Sequence, residues 1–188
     1  FAETPDSVPL LLGVVFCGFA SMNLTTAPSI SLEGKSLWLL QSLPVDPWRI
    51  FQAKIEMQLL LTGLPLLLCI VCTATVYPMH PMQLLVLLLF EGSFVLLMAL
   101  VGLSLGVKMP TLTWTNEIVP IKQGGAVMIT LFGSFGYIVL LFVGFMLLPG
   151  WILGFCRYMS CFVAANLFLS VLAYLWLRKK GVARFLAL

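Results

Sequence analysis

Long apolar runs alternate with short polar interruptions along the whole chain, and this pattern predicts helices that cross a membrane. Five runs reach the length of about 20 residues that an α-helix needs to span bilayer hydrocarbon. They cover 8–27, 57–77, 82–107, 126–148 and 151–177. None alternates with period two, so the spans read as helices and not as strands of a barrel. Pro28 and Ser29 are expected to end the first run and Pro65 to kink the second. YPMHP at 77–81 and Pro149-Gly150 read as tight turns, and RKKGVARFLAL closes the chain. Gly102 and Gly106 form a GxxxG in the third run, a spacing that lets helix backbones approach closely in lipid. The expected fold is all-α, a polytopic helix bundle of about five spans in one transmembrane domain over 1–188.

The longest interruption, 29–56, carries Glu33, Lys35, Asp46, Arg49, Lys54 and Glu56. On a wheel of about 100° per residue, Leu32, Leu39, Leu40 and Leu43 share one face, with Glu33, Gly34, Lys35, Gln41 and Ser42 elsewhere. That is an amphipathic helix lying in the interface plane. Leu37 and Trp38 fall off the apolar face, where a second surface could cover them. Pro44 stops the helix. Asp46 then serves as N-cap and Pro47 as first residue of a second helix, WRIFQAKIE, which runs into the next span. The segment reads as an elbow rigidly joined to a membrane helix.

Composition supports lipid as the solvent. Apolar residues make up 61% and charged residues 9%, with mean hydropathy +1.11; a soluble domain carries about 25% charge. The net charge of +3 is small and no basic run interleaves with aromatics, so nucleic acid is excluded as a partner. Lys35, Arg49, Lys54, Lys108, Lys122, Arg178, Lys179, Lys180 and Arg184 all fall in one set of loops, and the alternate set has no Lys or Arg. The positive-inside rule predicts a multi-pass protein of the cytoplasmic (inner) membrane, with this N-terminus outside and the C-terminus in the cytoplasm. The sequence starts at Phe1 and enters a span without a basic leader, so an upstream span is expected.

Few residues offer chemistry. Glu91 sits about ten residues into the third span and Arg157 about six into the fifth, which puts them within ~6 Å in depth. They form a candidate pair, acting either as a substrate or proton site or as a pin between helices, unless Arg157 snorkels outward. Asn166, in mid-span, is expected to bond across helices. His80 sits between prolines with no partner ligand, and Cys69-x-x-Cys72 reads as small apolar residues of a span. The Asn23-Leu24-Thr25 sequon lies too near a span end for glycosylation. An intramembrane enzyme would need clustered His, Asp or Glu, which Glu91 lacks. No GxxxxGK[ST] phosphate loop is present, so the chain is not expected to be an enzyme, to hydrolyse ATP or to hold a cofactor.

Both loops of the basic set resemble a known family. Ser31, Glu33, Gly34, Lys35, Trp38, Ser42, Leu43, Pro44, Val45, Pro47 and Lys54 are similar to the first loop of permease subunits of ATP-binding-cassette exporters, type-two class. Pro110, Trp114, Asn116, Glu117, Lys122 and Gln123 are similar to the second loop of bacterial members. The resemblance implies the second through sixth spans of a six-span permease, with a cytoplasmic ATPase partner that binds ATP. It also implies a second permease copy or sister subunit, and export of some substrate. Glu33, Lys35, Leu37 and Trp38 would contact the ATPase, with Trp114, Asn116, Glu117 and Lys122 in the second loop. Family members often carry a longer external segment before the last span, where this chain has only Pro149-Gly150. A non-transporting scaffold or assembly subunit would share the spans but not the coupling-type loop.

Overall fold

A computed structural model describes residues 7–42, 44–112, 114, 116, 118–147 and 150–187, with the side chains of 35, 38, 40 and 150–153 excepted. The described residues are helical and contain no strand. In chain order the helices are α1 Ser7–Met22, α2 Thr26–Leu32, α3 Leu37–Ser42, α4 Pro47–Gln58, α5 Leu64–Val76, α6 Pro81–Lys108, α7 Ile118–Lys122, α8 Gly125–Leu147, α9 Gly150–Trp176 and α10 Val182–Leu186. Joined end to end they give five helical stretches long and apolar enough to cross a bilayer: Ser7–Leu32, Pro47–Val76, Pro81–Lys108, Ile118–Leu147 and Gly154–Leu186. The architecture is that of a multi-pass membrane protein.

α6 is the central helix. Its apolar window is 61% buried inside the protein, against 17–39% for the other four stretches. Lipid tails are as apolar as leucine, so the outer helices keep their exposed Leu, Val and Phe toward the bilayer and bury the stripe that meets α6. Toward one end the core is built on Leu10, Cys17, Leu87, Phe90, Phe94 and Met159. Toward the other it is built on Ile30, Phe51, Leu100, Leu103, Val107 and Phe185.

The first span departs from expectation. Its helix breaks at Asn23–Thr25, before Pro28, and restarts as α2. Pro28 therefore does not end a helix. It lies in the first turn of α2, where a missing N–H leaves no intrahelical bond unmade. α2 is packed into the bundle against Gly102 and Gly106 of α6. A Cβ on Gly106 would stand 2.7 Å from the Ala27 carbonyl oxygen, and one on Gly102 2.8 Å from Thr26 Oγ1. The GxxxG thus seats a helix backbone.

The second span is one continuous rod, α4 to α5, with a wide π turn at Leu59–Gly63 where the kink was expected. Pro65 cannot donate to the Leu61 carbonyl. Asn23 Nδ2 reaches that oxygen at 3.4 Å. The fifth span is interrupted at Gly154, whose φ of 58° lies in the left-handed region that only a residue without Cβ adopts cheaply. Its other end does not stop at Leu177. The helix runs through the basic RKKG as a π turn and α10 to Leu186, because Leu177, Gly181 and Phe185 repeat on one face and bury it.

Candidate functional site

The elbow begins where sequence placed it but is built differently. Past Leu32 the chain makes a 3₁₀ turn over Gly34–Ser36 and then the six-residue α3. The turn resets the helical phase, so the wheel drawn through Leu32 to Leu43 does not describe one helix. Leu37 is corrected from an outward, partner-facing position to the core: it is 5% exposed and packs with Ile30, Phe51, Leu100 and Phe185. Among the described side chains of α3, Leu39 is the exposed apolar one, at 50%. The side chains of Lys35, Trp38 and Leu40 lie outside the described residues, as does Leu43. Asp46 caps α4 as its type and position predict, Oδ1 accepting from the Trp48 N–H at 3.0 Å with Pro47 in the first turn.

The two loops that carry the family resemblance meet on α2. Trp114 Nε1 donates to the Ser31 carbonyl at 2.6 Å, and the Thr111 N–H donates to Ser31 Oγ at 3.0 Å. The backbone at Leu112 passes so close that a Cβ on Gly34 would lie 3.0 Å from its carbonyl oxygen. Glu33 pairs with Lys54 of α4, and among the described residues this is the ion pair that ties the elbow turn to the second span. Asn116 Oδ1 accepts from the Ile118 N–H at 3.0 Å and opens α7. Lys122 is exposed at the end of α7, and Glu117 lies outside the described residues. On the same end, Arg184 donates to the Lys108 carbonyl at 3.2 Å and Gln41 to the Phe185 carbonyl at 2.8 Å. The result is one platform made of α2, α3, the start of α4, the loop residues 109–112, 114 and 116, and α10.

A buried side chain that sequence did not single out locks this platform to the spans. Gln58, at the end of α4, is fully buried. Its Oε1 accepts from the N–H of Thr25 at 2.7 Å and of Thr26 at 3.1 Å, and from the Thr25 hydroxyl. Its Nε2 donates to the Asn23 carbonyl and to Thr62 Oγ1. These are the donors and acceptors that the break between α1 and α2 would otherwise leave bare in the bilayer. The sequon residues Asn23 and Thr25 are spent on this junction. The only sequence signal for Gln58 was an amide one residue inside a predicted span.

Within the membrane, Glu91 and Arg157 are not paired. Glu91 is 2% exposed, and both its oxygens lie 3.7 Å from Cys17 Sγ of α1. It also borders a cavity of about 90 Å³ between α5 and α6. Arg157 is exposed on the outside of the bundle within one turn of Gly154, where a long side chain can reach the interface. Matching depth did not bring them together because they occupy different faces. Asn166 is fully buried and joins three helices: it accepts from the Tyr137 hydroxyl at 2.8 Å and donates to Ser93 Oγ at 3.3 Å.

Comparison with protein-family models, with curated proteins and with solved structures finds no match for this chain.

Proposed function

We propose that this chain is a permease subunit of an ATP-driven exporter, powered by a separate cytoplasmic ATPase that docks on the platform. The observation that carries the reading is the meeting of the two family-like loops: Trp114 and Thr111 of the second bond to Ser31 of the first. Two loops far apart in sequence serve one surface, as a docking face for a single partner requires. The nine basic loop residues gather at that end, which the positive-inside rule assigns to the cytoplasm.

The junctions also suit a mechanical role. A push on α3 and the Glu33–Lys54 pair passes into α4, which is one rod with α5. Gln58 passes it to the break in the first span. Rigid elements joined through such contacts are the means by which domain closure elsewhere reorients a bundle. With Leu37 buried, the contact set becomes Glu33 and Leu39, together with Lys35 and Trp38 from the sequence resemblance.

The test is purification from the native membrane. The reading expects a phosphate-loop ATPase in a defined complex. It also expects Leu39→Asp to lower ATP hydrolysis by that complex without shifting the permease's own melting temperature. Purification without any ATPase would favour the scaffold reading and contradict this one.

A further inference from the structure

We propose that a pocket between α4, α6 and α9 binds a cationic amphiphile taken laterally from the lipid. The inference does not rest on the permease reading, since binding requires no transport. The pocket holds about 340 Å³, within the range of drug-sized ligand sites. One wall is the α4 stripe Trp48, Gln52 and Glu56, the other is the α9 stripe Ser170 to Tyr174, and Leu100 of α6 lies at the floor.

Three features of the lining bear on the occupant. Ser170 is 3% exposed and lines the pocket, and its hydroxyl has no hydrogen-bond partner among the described residues. A buried hydroxyl without a partner is uncommon, and here it marks space beside α9 that the protein itself leaves open. Glu56 is exposed at the pocket's edge and no ion pair among the described residues joins it, so it offers a carboxylate beside an apolar volume. Trp48 and Tyr174 both line the pocket and meet edge to face, with centroids 5.1 Å apart, so two rings of the type that attract a cation stand beside the carboxylate. Arg49 lies on the same side of α4, two turns toward the basic end, but does not line the pocket. The opening toward the bilayer is set by Val171, which is 54% exposed on a helix long enough to span. A positive head for Glu56 and the rings, joined to an apolar body for the floor, is the ligand these groups select.

The experiment uses the full chain in phosphatidylcholine nanodiscs and the probe pair tetraphenylphosphonium and tetraphenylborate, which match in shape and differ in sign. Binding is measured by equilibrium dialysis and corrected with protein-free discs. The expected result is one saturable tetraphenylphosphonium site per chain and no protein-dependent tetraphenylborate binding. Glu56→Gln, an exposed and conservative change, weakens the cation about three- to fivefold, and Ser170→Leu, which fills the pocket, removes the site. Absence of saturable binding, equal binding of the anion, or wild-type affinity in Glu56→Gln overturns the proposal. A pocket sealed by ordinary lipid or by a helix of another chain gives the first of these results.

Discussion

Gln58 shows how much a single side chain does when water is absent. A helix break inside a bilayer leaves backbone groups with nothing to bond, and one amide answers three of them and the Thr25 hydroxyl besides. Gln58→Leu keeps the volume and removes every bond. It is expected to destabilise the protein by roughly 1–3 kcal/mol, the cost of leaving buried polar groups unpaired. A lower melting temperature in detergent checks this, and an unchanged one contradicts it. Leu37 and Leu39 make a paired test two residues apart. Leu37→Ala is expected to cost about 2–5 kcal/mol because it opens a cavity among Ile30, Phe51 and Phe185. Leu39→Ala is expected to stay within about 0.5 kcal/mol because the side chain is half exposed. A loss at Leu37 as small as that expected at Leu39 would restore the outward placement of Leu37 that the helical wheel suggested.

At the scale of elements, the bundle is held by a short helix that a hydropathy plot hides. α2 lies against α6 with the Thr26 and Ala27 carbonyls over Gly106 and the Thr26 hydroxyl over Gly102, so dispersion and close backbone approach do what hydrophobic force cannot do in lipid. Gly106→Val pushes against the Ala27 carbonyl and cannot be relieved by a rotamer change. The expected loss is about 1–3 kcal/mol, the usual cost of overpacking, read as a fall in melting temperature that a matched Gly18→Val change does not produce. Gly18 has nothing within 4 Å of its Cβ direction. These elements mark what the sequence could and could not disclose. The spans were legible because apolar run length is a local property, and so was the Asp46-Pro47 start of α4, because capping is decided within three residues. The break at 23–25 was not, because it depends on Gln58, 33 residues away from Thr25. The continuation of α9 through RKKG was hidden for a similar reason. Four polar residues look like a tail until Leu177 and Phe185 find Phe51 and the α6 core. The Glu91 and Arg157 pairing failed because depth along a span is readable from sequence and the facing of a helix toward its neighbours is not.

At the scale of the molecule, all the basic loop residues and both family-like loops lie at one end of five spans, and the Gln58 junction ties the second span there to the break in the first. The proposed sidedness rests on charge and can be tested directly. A cysteine placed at His80 should react with a membrane-impermeant thiol reagent added outside intact cells, and one at Lys122 should react only after the cells are opened, each measured against the parent chain. The reverse pattern would invert the protein and remove the platform from the cytoplasm. Whether that platform carries a motor is answered most directly by a photo-crosslinking residue at Leu39, with a second at Met82 on the opposite end as the reference; both positions are exposed. The account predicts that, in native membranes, Leu39 forms an adduct with a soluble protein whose sequence contains GxxxxGK[ST], and that Met82 does not. No such adduct from Leu39, or the same adduct from both ends, would contradict it.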